Sequence, residues 1–276
     1  MACRLNRDFV PSHSFCVVAY STCYGFFHPS LPHVPLVFVE VALTSAIATS
    51  IQAILRQPTP THGFAPPPPE PTTAVFYSIT STQAGLSGVE LGNLLIKRVV
   101  QELRGQYPAL TTFVTLSPIP GFMRWLRARA AAAADDPAAA AAEVLRPEDA
   151  ALLSKLRPGE PPLLGLLALL DGGAWARDAA LAEALKPVVM RAGAHYLLRE
   201  KKRKQALDPV TNFHVRNGAW LWQLNWLADT SARGLAQSAG LMVNYRYILE
   251  DIDANNRQYL ADGHIVASDA VRALLA

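Results

Sequence analysis

Charge is scarce in this chain. Of its 276 residues, 17% are charged and 51% hydrophobic, and the net charge is +3. A balance this mild does not single out nucleic acid as a partner, and no alternation of basic and aromatic residues offers a base-stacking surface. It is compatible with an anionic small ligand. The hydrophobic share is ample for a buried core and argues against wholesale disorder. Cysteine is also rare, and Cys3, Cys16 and Cys23 all lie near the N-terminus. No CxxC or Cys/His ligand spacing occurs, so no structural zinc is expected. An odd number of cysteines does not read as a disulfide framework, which makes a reducing compartment the default. Long apolar runs are missing too. Leu163–Leu170 is the longest strongly apolar stretch, whereas a membrane-spanning helix needs about 20 residues. Phe15–Tyr20 lacks the length and the small-residue cleavage pattern of a secretory signal. Arg4 and Arg7 give a faint organelle-targeting flavour, and Arg272–Ala276 carries no peroxisomal tripeptide. Mitochondrial, peroxisomal and cytoplasmic locations all stay open.

What is present alternates between sheet and helix patterns. Residues 1–22 show no clear periodicity and read as a divergent leader. Pro35–Leu43 is β-branched and continuously apolar except for Glu40, as expected of a strand covered on both faces. Thr44–Arg56 reads as a helix with Ser45 as a plausible cap. Residues 58–71 form a proline-rich surface loop. Ala74–Ile79 is a second strand. A loop punctuated by Gly85, Gly88 and Gly92 leads from it into a helix with Leu91, Leu94, Leu95, Val99 and Leu103 on one face, ended by Pro108. Thr111–Leu116 is a third strand. Strand, glycine loop, helix, strand is a βαβ crossover, so the two strands should be parallel.

Residues 124–205 read as a helical, alanine-rich insertion. It includes Ala174–Leu185 and a separate helix begun by Pro187 in its first turn, with Arg199–Lys204 as the solvated, dipole-compensating end. Beyond Asp208-Pro209 the chain turns aromatic, and His214 is surrounded by Asn212, Arg216 and Asn217, polar company for a strand of aromatic neighbours. Leu241–Leu249 alternates as a strand with Tyr245 and Tyr247 on one face, and Ser268–Leu275 is a short closing helix. The fold class is therefore α/β (α+β), with the helical insertion lying between the two halves of the sheet.

Three features carry possible chemistry. The glycines free backbone N–H groups to face a ligand, and the helix N-terminus that follows suits a pyrophosphate. The loop is neither a Walker A nor a dinucleotide fingerprint, and an ordinary tight turn remains open. Ser117 lies at a strand's C-terminal end in Ser117-Pro-Ile-Pro-Gly-Phe122, where α/β sheets bind ligands. The flanking prolines stiffen it, as a preorganised site requires, although serine before proline is also a common turn former. His214 offers an imidazole, with core packing as the alternative role. Core packing is likewise the alternative for Tyr245 and Tyr247.

Taken together, the ordered segments CYGFFH (23–28), PLVFVEVALT (35–44), FYSI (76–79), GLSGVELG (85–92), LIKRVV (95–100), LSPIPGF (116–122), ALDPVTNFHVRNGA (206–219), Asn225-Trp226 and GLMVNYRY (240–247) resemble the malonyl-CoA decarboxylase family. The resemblance implies that 23–276 is the catalytic domain, with a GNAT-like acyl-CoA-binding fold. It implies a decarboxylase converting malonyl-CoA to acetyl-CoA and carbon dioxide in fatty-acid metabolism. Ser117 in SPIPGF and His214 in NFH would be catalytic. The loop Ser87, Gly88, Val89, Glu90, Leu91, Gly92 and Asn93 would hold the CoA pyrophosphate, and Ser78, Glu90 and Tyr247 would line or support the pocket. No cofactor or metal is implied, since the thioester is itself the electron sink. Nor is a nucleic-acid partner or stable membrane insertion implied, while a homo-oligomer is compatible. Two departures stand out. The family's usual helical N-terminal domain is absent from this sequence, and Lys204 replaces a frequent glycine. The alternatives are a catalytically weak CoA-binding fragment without its assembly domain, or a GNAT-type acyl-CoA transferase.

Overall fold

A computed structural model describes residues 21–56, 70–86, 91–132 and 137–276. The chain divides into two compact units. One comprises residues up to Ser117 with Arg246–Ile248, and the other comprises Pro118–Tyr245 with Leu249–Ala276.

In the first unit, β-branched and aromatic residues build a sheet in the order β1 (Ser21–Phe26), β2 (Val37–Thr44), β3 (Thr73–Ser81), β4 (Thr112–Thr115). β1–β2 and β2–β3 are antiparallel, with a bulge at Glu40/Val41, whereas β3–β4 is parallel, as the crossover pattern predicts. Val37, Val39 and Val41 are buried at alternate positions of β2. Helix α2 (Leu91–Gln106) packs against this sheet and buries Leu95, Ile96, Val99, Val100 and Leu103, which recur at helical spacing. Antiparallel to β4, Val114 pairs with Arg246. The expected helix over 44–56 shrinks to α1 (Ile51–Leu55). Thr44 instead closes the β2–β3 ladder opposite Thr73, and the Ser45 carbonyl accepts the Thr72 hydroxyl rather than Ser45 capping a helix. Strand pairing here outweighs local helix propensity. The two-residue strand β5 (Ser117–Pro118) ends the first unit and begins the second.

The second unit opens with helices α3 (Phe122–Ala132), α4 (Pro137–Val144), α5 (Pro147–Leu156), α6 (Pro162–Leu170) and α7 (Ala179–Leu198). Its expected division at Pro187 is absent, because Pro187 lies inside α7. Asp178 caps that helix by accepting the N–H groups of Ala180 and Leu181. Buried Leu185, Val188 and Val189 hold it through the proline, which tertiary packing can do at the cost of one backbone hydrogen bond.

Arg199 closes α7 as its C-cap, but the rest of the basic run is not a helix end. Lys201–Lys202 (β6) pairs with Gln205–Ala206 (β7) as a hairpin, turned by Arg203 at φ 60°. Lys201 is half-buried, donates to the Gly263 carbonyl at 3.1 Å, and is pushed down to a pKa of about 8 by desolvation. Next come α8 (Pro209–Arg216), β8 (Trp220–Asn225), α9 (Ala232–Ser238), β9 (Met242–Arg246), α10 (Ile252–Asp262) and α11 (Asp269–Ala273). β8 pairs with β9, α8 packs on α10 and β8, and Ser268 caps α11. No helix of the described residues is long and apolar enough to cross a membrane.

Candidate active site

Parallel pairing of β3 and β4 sets the geometry of the first unit's candidate residues. Phe76 pairs with Thr115, and the Leu116 N–H donates to the Phe76 carbonyl at 3.0 Å. Ser78 and Ser117 each lie two residues beyond that pair, past the C-terminal end of the parallel ladder, with Ser78 still within β3 and Ser117 in β5. This is the edge where open α/β sheets place ligands. Beyond β3 the chain makes a 3-10 turn at Ala84–Leu86, and α2 begins with Leu91, Gly92 and Asn93. Ser87, Gly88, Val89 and Glu90 lie outside the described residues. Ser117 is buried and its hydroxyl donates to Thr115 Oγ1 at 2.9 Å. Tyr247 is anchored by its N–H to the Phe113 carbonyl on β4 at 2.9 Å, and burial holds its phenol firmly protonated. Ser78 is half-buried opposite Glu40 of β2.

The second unit presents His214 on a helix, which corrects the expected strand. Asp208 starts α8 by accepting the N–H groups of Val210 and Thr211 at 3.0 and 2.9 Å, and Pro209 fills the first helical position, where no N–H is needed. His214 then falls one turn in, 3% exposed. Its ring stacks on Tyr245 with centroids 4.4 Å apart and planes 22° from parallel, and Phe213 meets it edge-on at 5.0 Å. Desolvation pushes the imidazole down to about 3. Complete enclosure removes the water that would stabilise the charged form. His214 is therefore neutral at physiological pH.

Behind Tyr245 runs a buried polar chain that the sequence did not reveal. The Tyr245 and Thr211 hydroxyls lie 2.7 Å apart, and Thr211 Oγ1 donates to Asp208 Oδ1 at 3.2 Å. Asp208 Oδ2 accepts the Tyr196 hydroxyl at 3.3 Å. The Gly121 N–H also bonds the Asp208 carboxylate. Burial pushes Asp208 above the usual carboxyl range, while its hydrogen bonds from Thr211, Gly121 and Val210 pull the other way. A Cβ at Gly121 would collide with the Tyr196 hydroxyl, so a larger residue there forces that side chain to shift. One local signal for Asp208 does exist: Asp followed by Pro is the signature of a capped helix start.

Comparison with known proteins places these features in a family. Residues 18–276 match the malonyl-CoA decarboxylase C-terminal domain. The mitochondrial malonyl-CoA decarboxylase of Rattus norvegicus is 44% identical over 257 residues, covering 93% of this chain and 51% of the relative. That of Anser anser anser is 44% identical over 253 residues, covering 91% and 49%. Among solved structures, malonyl-CoA decarboxylase from Rhodopseudomonas palustris is similar at 42% identity and a TM-score of 0.75, covering 93% of this chain and 53% of that one. The enzyme from Cupriavidus metallidurans is similar at 38% identity and a TM-score of 0.73, covering 93% and 59%. This chain thus spans about half the length of the curated relatives it matches. The chain belongs to the malonyl-CoA decarboxylase family, and the matched residues correspond to that family's C-terminal domain.

Proposed function

We propose that this chain decarboxylates malonyl-CoA to acetyl-CoA and carbon dioxide, as part of fatty-acid metabolism, with Ser117 and His214 as its catalytic residues. The observation that carries this is the joint presence of the intact SPIPGF and NFH segments and the burial of both side chains.

The chemistry follows from the thioester. The bond between the α-carbon and the carboxylate breaks, and its electron pair moves onto the thioester oxygen as an enolate. Donors fixed in advance around that oxygen lower the barrier as the charge develops. Ser117 is suited to hold the malonyl carboxylate once its hydroxyl proton, given to Thr115 Oγ1 in the resting protein, turns to the substrate. His214, neutral in the resting protein, meets the substrate as an N–H donor rather than as a cation. The negative charge of the bound malonyl group favours the charged imidazole. In the complex His214 then takes up a proton and delivers it to the α-carbon. The parallel β3–α2–β4 crossover supports a GNAT-like acyl-CoA site in which the amides of Ser87–Asn93 and the α2 dipole hold the pyrophosphate. Ser78, Glu90 and Tyr247 line or support the pocket.

The purified chain is to be incubated with malonyl-CoA while acetyl-CoA is followed by chromatography and carbon dioxide by trapping. Equimolar release of the two is expected. Transfer of the malonyl group to an added amine, without gas release, would replace this function with acyl transfer.

A further inference from the structure

We infer that Tyr245 and Thr211 are positioning residues for the decarboxylation step, forming with Asp208 a buried relay that fixes the plane of the His214 ring. This inference rests on the catalytic role proposed above for His214.

The geometry has three links. First, Tyr245 lies flat against His214 at 4.4 Å and 22°, so the imidazole cannot rotate about its Cβ–Cγ bond without displacing the phenol ring. Second, the phenol is itself pinned by a 2.7 Å bond between its oxygen and Thr211 Oγ1. Third, Thr211 donates to Asp208, and the same carboxylate oxygen caps the helix that carries both Thr211 and His214. A hydroxyl that donates to a carboxylate has its lone pairs turned towards its other neighbour, so Thr211 accepts the Tyr245 proton. Proton direction is thereby set along the whole chain, from Tyr245 to Thr211 to Asp208. Tyr245 is fully buried, as is Thr211. In such surroundings a fully satisfied network holds one arrangement, because every alternative leaves a buried polar group unpaired.

Simple core filling would need only the ring of Tyr245, and valine would fit the volume of Thr211. What distinguishes the relay is its effect on a specific partner: a ring plane off by a few tenths of an ångström at the transferring nitrogen lowers turnover without weakening substrate binding.

The test uses Tyr245→Phe, Thr211→Val, Thr211→Ser and His214→Asn, with Tyr245→Phe also placed in the His214→Asn background. Loss of the phenol oxygen or the threonine hydroxyl is expected to lower kcat roughly tenfold to a hundredfold with KM little changed. Thr211→Ser, which keeps the hydroxyl, should restore turnover. In the His214→Asn background, Tyr245→Phe should cost nothing further. Ring-nitrogen NMR of His214 in the full chain supplies a readout independent of activity: one sharp set of signals in the wild type, and broadened or doubled signals in Tyr245→Phe. Full turnover in both Tyr245→Phe and Thr211→Val, with unchanged His214 signals, would overturn the relay while leaving His214 catalytic. Full turnover in His214→Asn would overturn the catalytic role and the relay together. An undiminished cost of Tyr245→Phe in the His214→Asn background would mark the pair as structural support only.

Discussion

His214 shows most sharply how enclosure changes a side chain's chemistry. Its imidazole is pushed from about 6.5 to about 3 by burial alone. A folded-state value below the unfolded one means that the unfolded chain binds the proton first as pH falls. The stability gained from a neutral imidazole is therefore whole above pH 6.5 and is lost progressively as pH falls towards 3. Replacing His214 with glutamine should flatten this part of the stability–pH curve, as measured by denaturant unfolding from pH 7 to pH 4. An equal slope in both proteins would contradict the burial argument. The same neutrality predicts that kcat/KM shows no acid break near 6.5, whereas a solvated histidine would give one.

Gly121 makes a second prediction at this scale. Gly121→Ala drives a methyl into the Tyr196 hydroxyl and should destabilise the protein by about 1–3 kcal/mol. Adding Tyr196→Phe removes the obstructing oxygen, so the double variant should lose less than the sum of the two single losses. Simple additivity would mean that the close approach does not matter. The SPIPGF string displays this glycine in plain view. Its reason is invisible there, because Tyr196 and Asp208 reach it only through the fold.

At the scale of elements, strands β2, β3 and β4 are legible because apolar and β-branched runs bounded by turn residues have few other solutions. The crossover between β3 and β4 follows from the helix between them. Elements whose identity depends on distant partners were not legible. β1 is a short edge strand containing a glycine, and it is defined by pairing with β2 from Ser21↔Ala42 to Phe26↔Val37. The basic run from Lys201 to Lys204 falls in a hairpin because Lys201 finds the Gly263 carbonyl and the Ala206 N–H finds the Tyr259 hydroxyl. His214 falls on a helix because Asp208 caps it, although the surrounding aromatic residues favour strand. Pro187 is a helix former at a first turn but an interior residue here, where it deprives the Glu183 carbonyl of its usual N–H. Pro187 is exposed, so Pro187→Ala should restore that bond without disturbing the core. It should stabilise the protein by about 1–3 kcal/mol, read as a raised Tm. A lowered Tm would show that α7 needs the proline's local distortion.

At the scale of the molecule, the family was legible because many short segments occur in a fixed order, from CYGFFH to GLMVNYRY, although no single one is decisive. Each segment also has a structural cause. LSPIPGF holds both the oriented hydroxyl of Ser117 and the glycine beneath Tyr196. DPVTNFH holds the cap, the relay threonine and the histidine on one helix. The sequence did not disclose that this histidine is sealed from water, because burial is a property of the assembled core rather than of any segment.

The claim on which this account turns is that Ser117 and His214 carry the loss of carbon dioxide. Malonyl-CoA turnover is to be measured for the wild type, Ser117→Ala and His214→Asn, alongside the Tm of each at saturating substrate. Each variant is expected to lose turnover roughly a hundredfold or more, while malonyl-CoA still raises its Tm, as a ligand bound only by the folded state must. Turnover near the wild-type rate in either variant would contradict it.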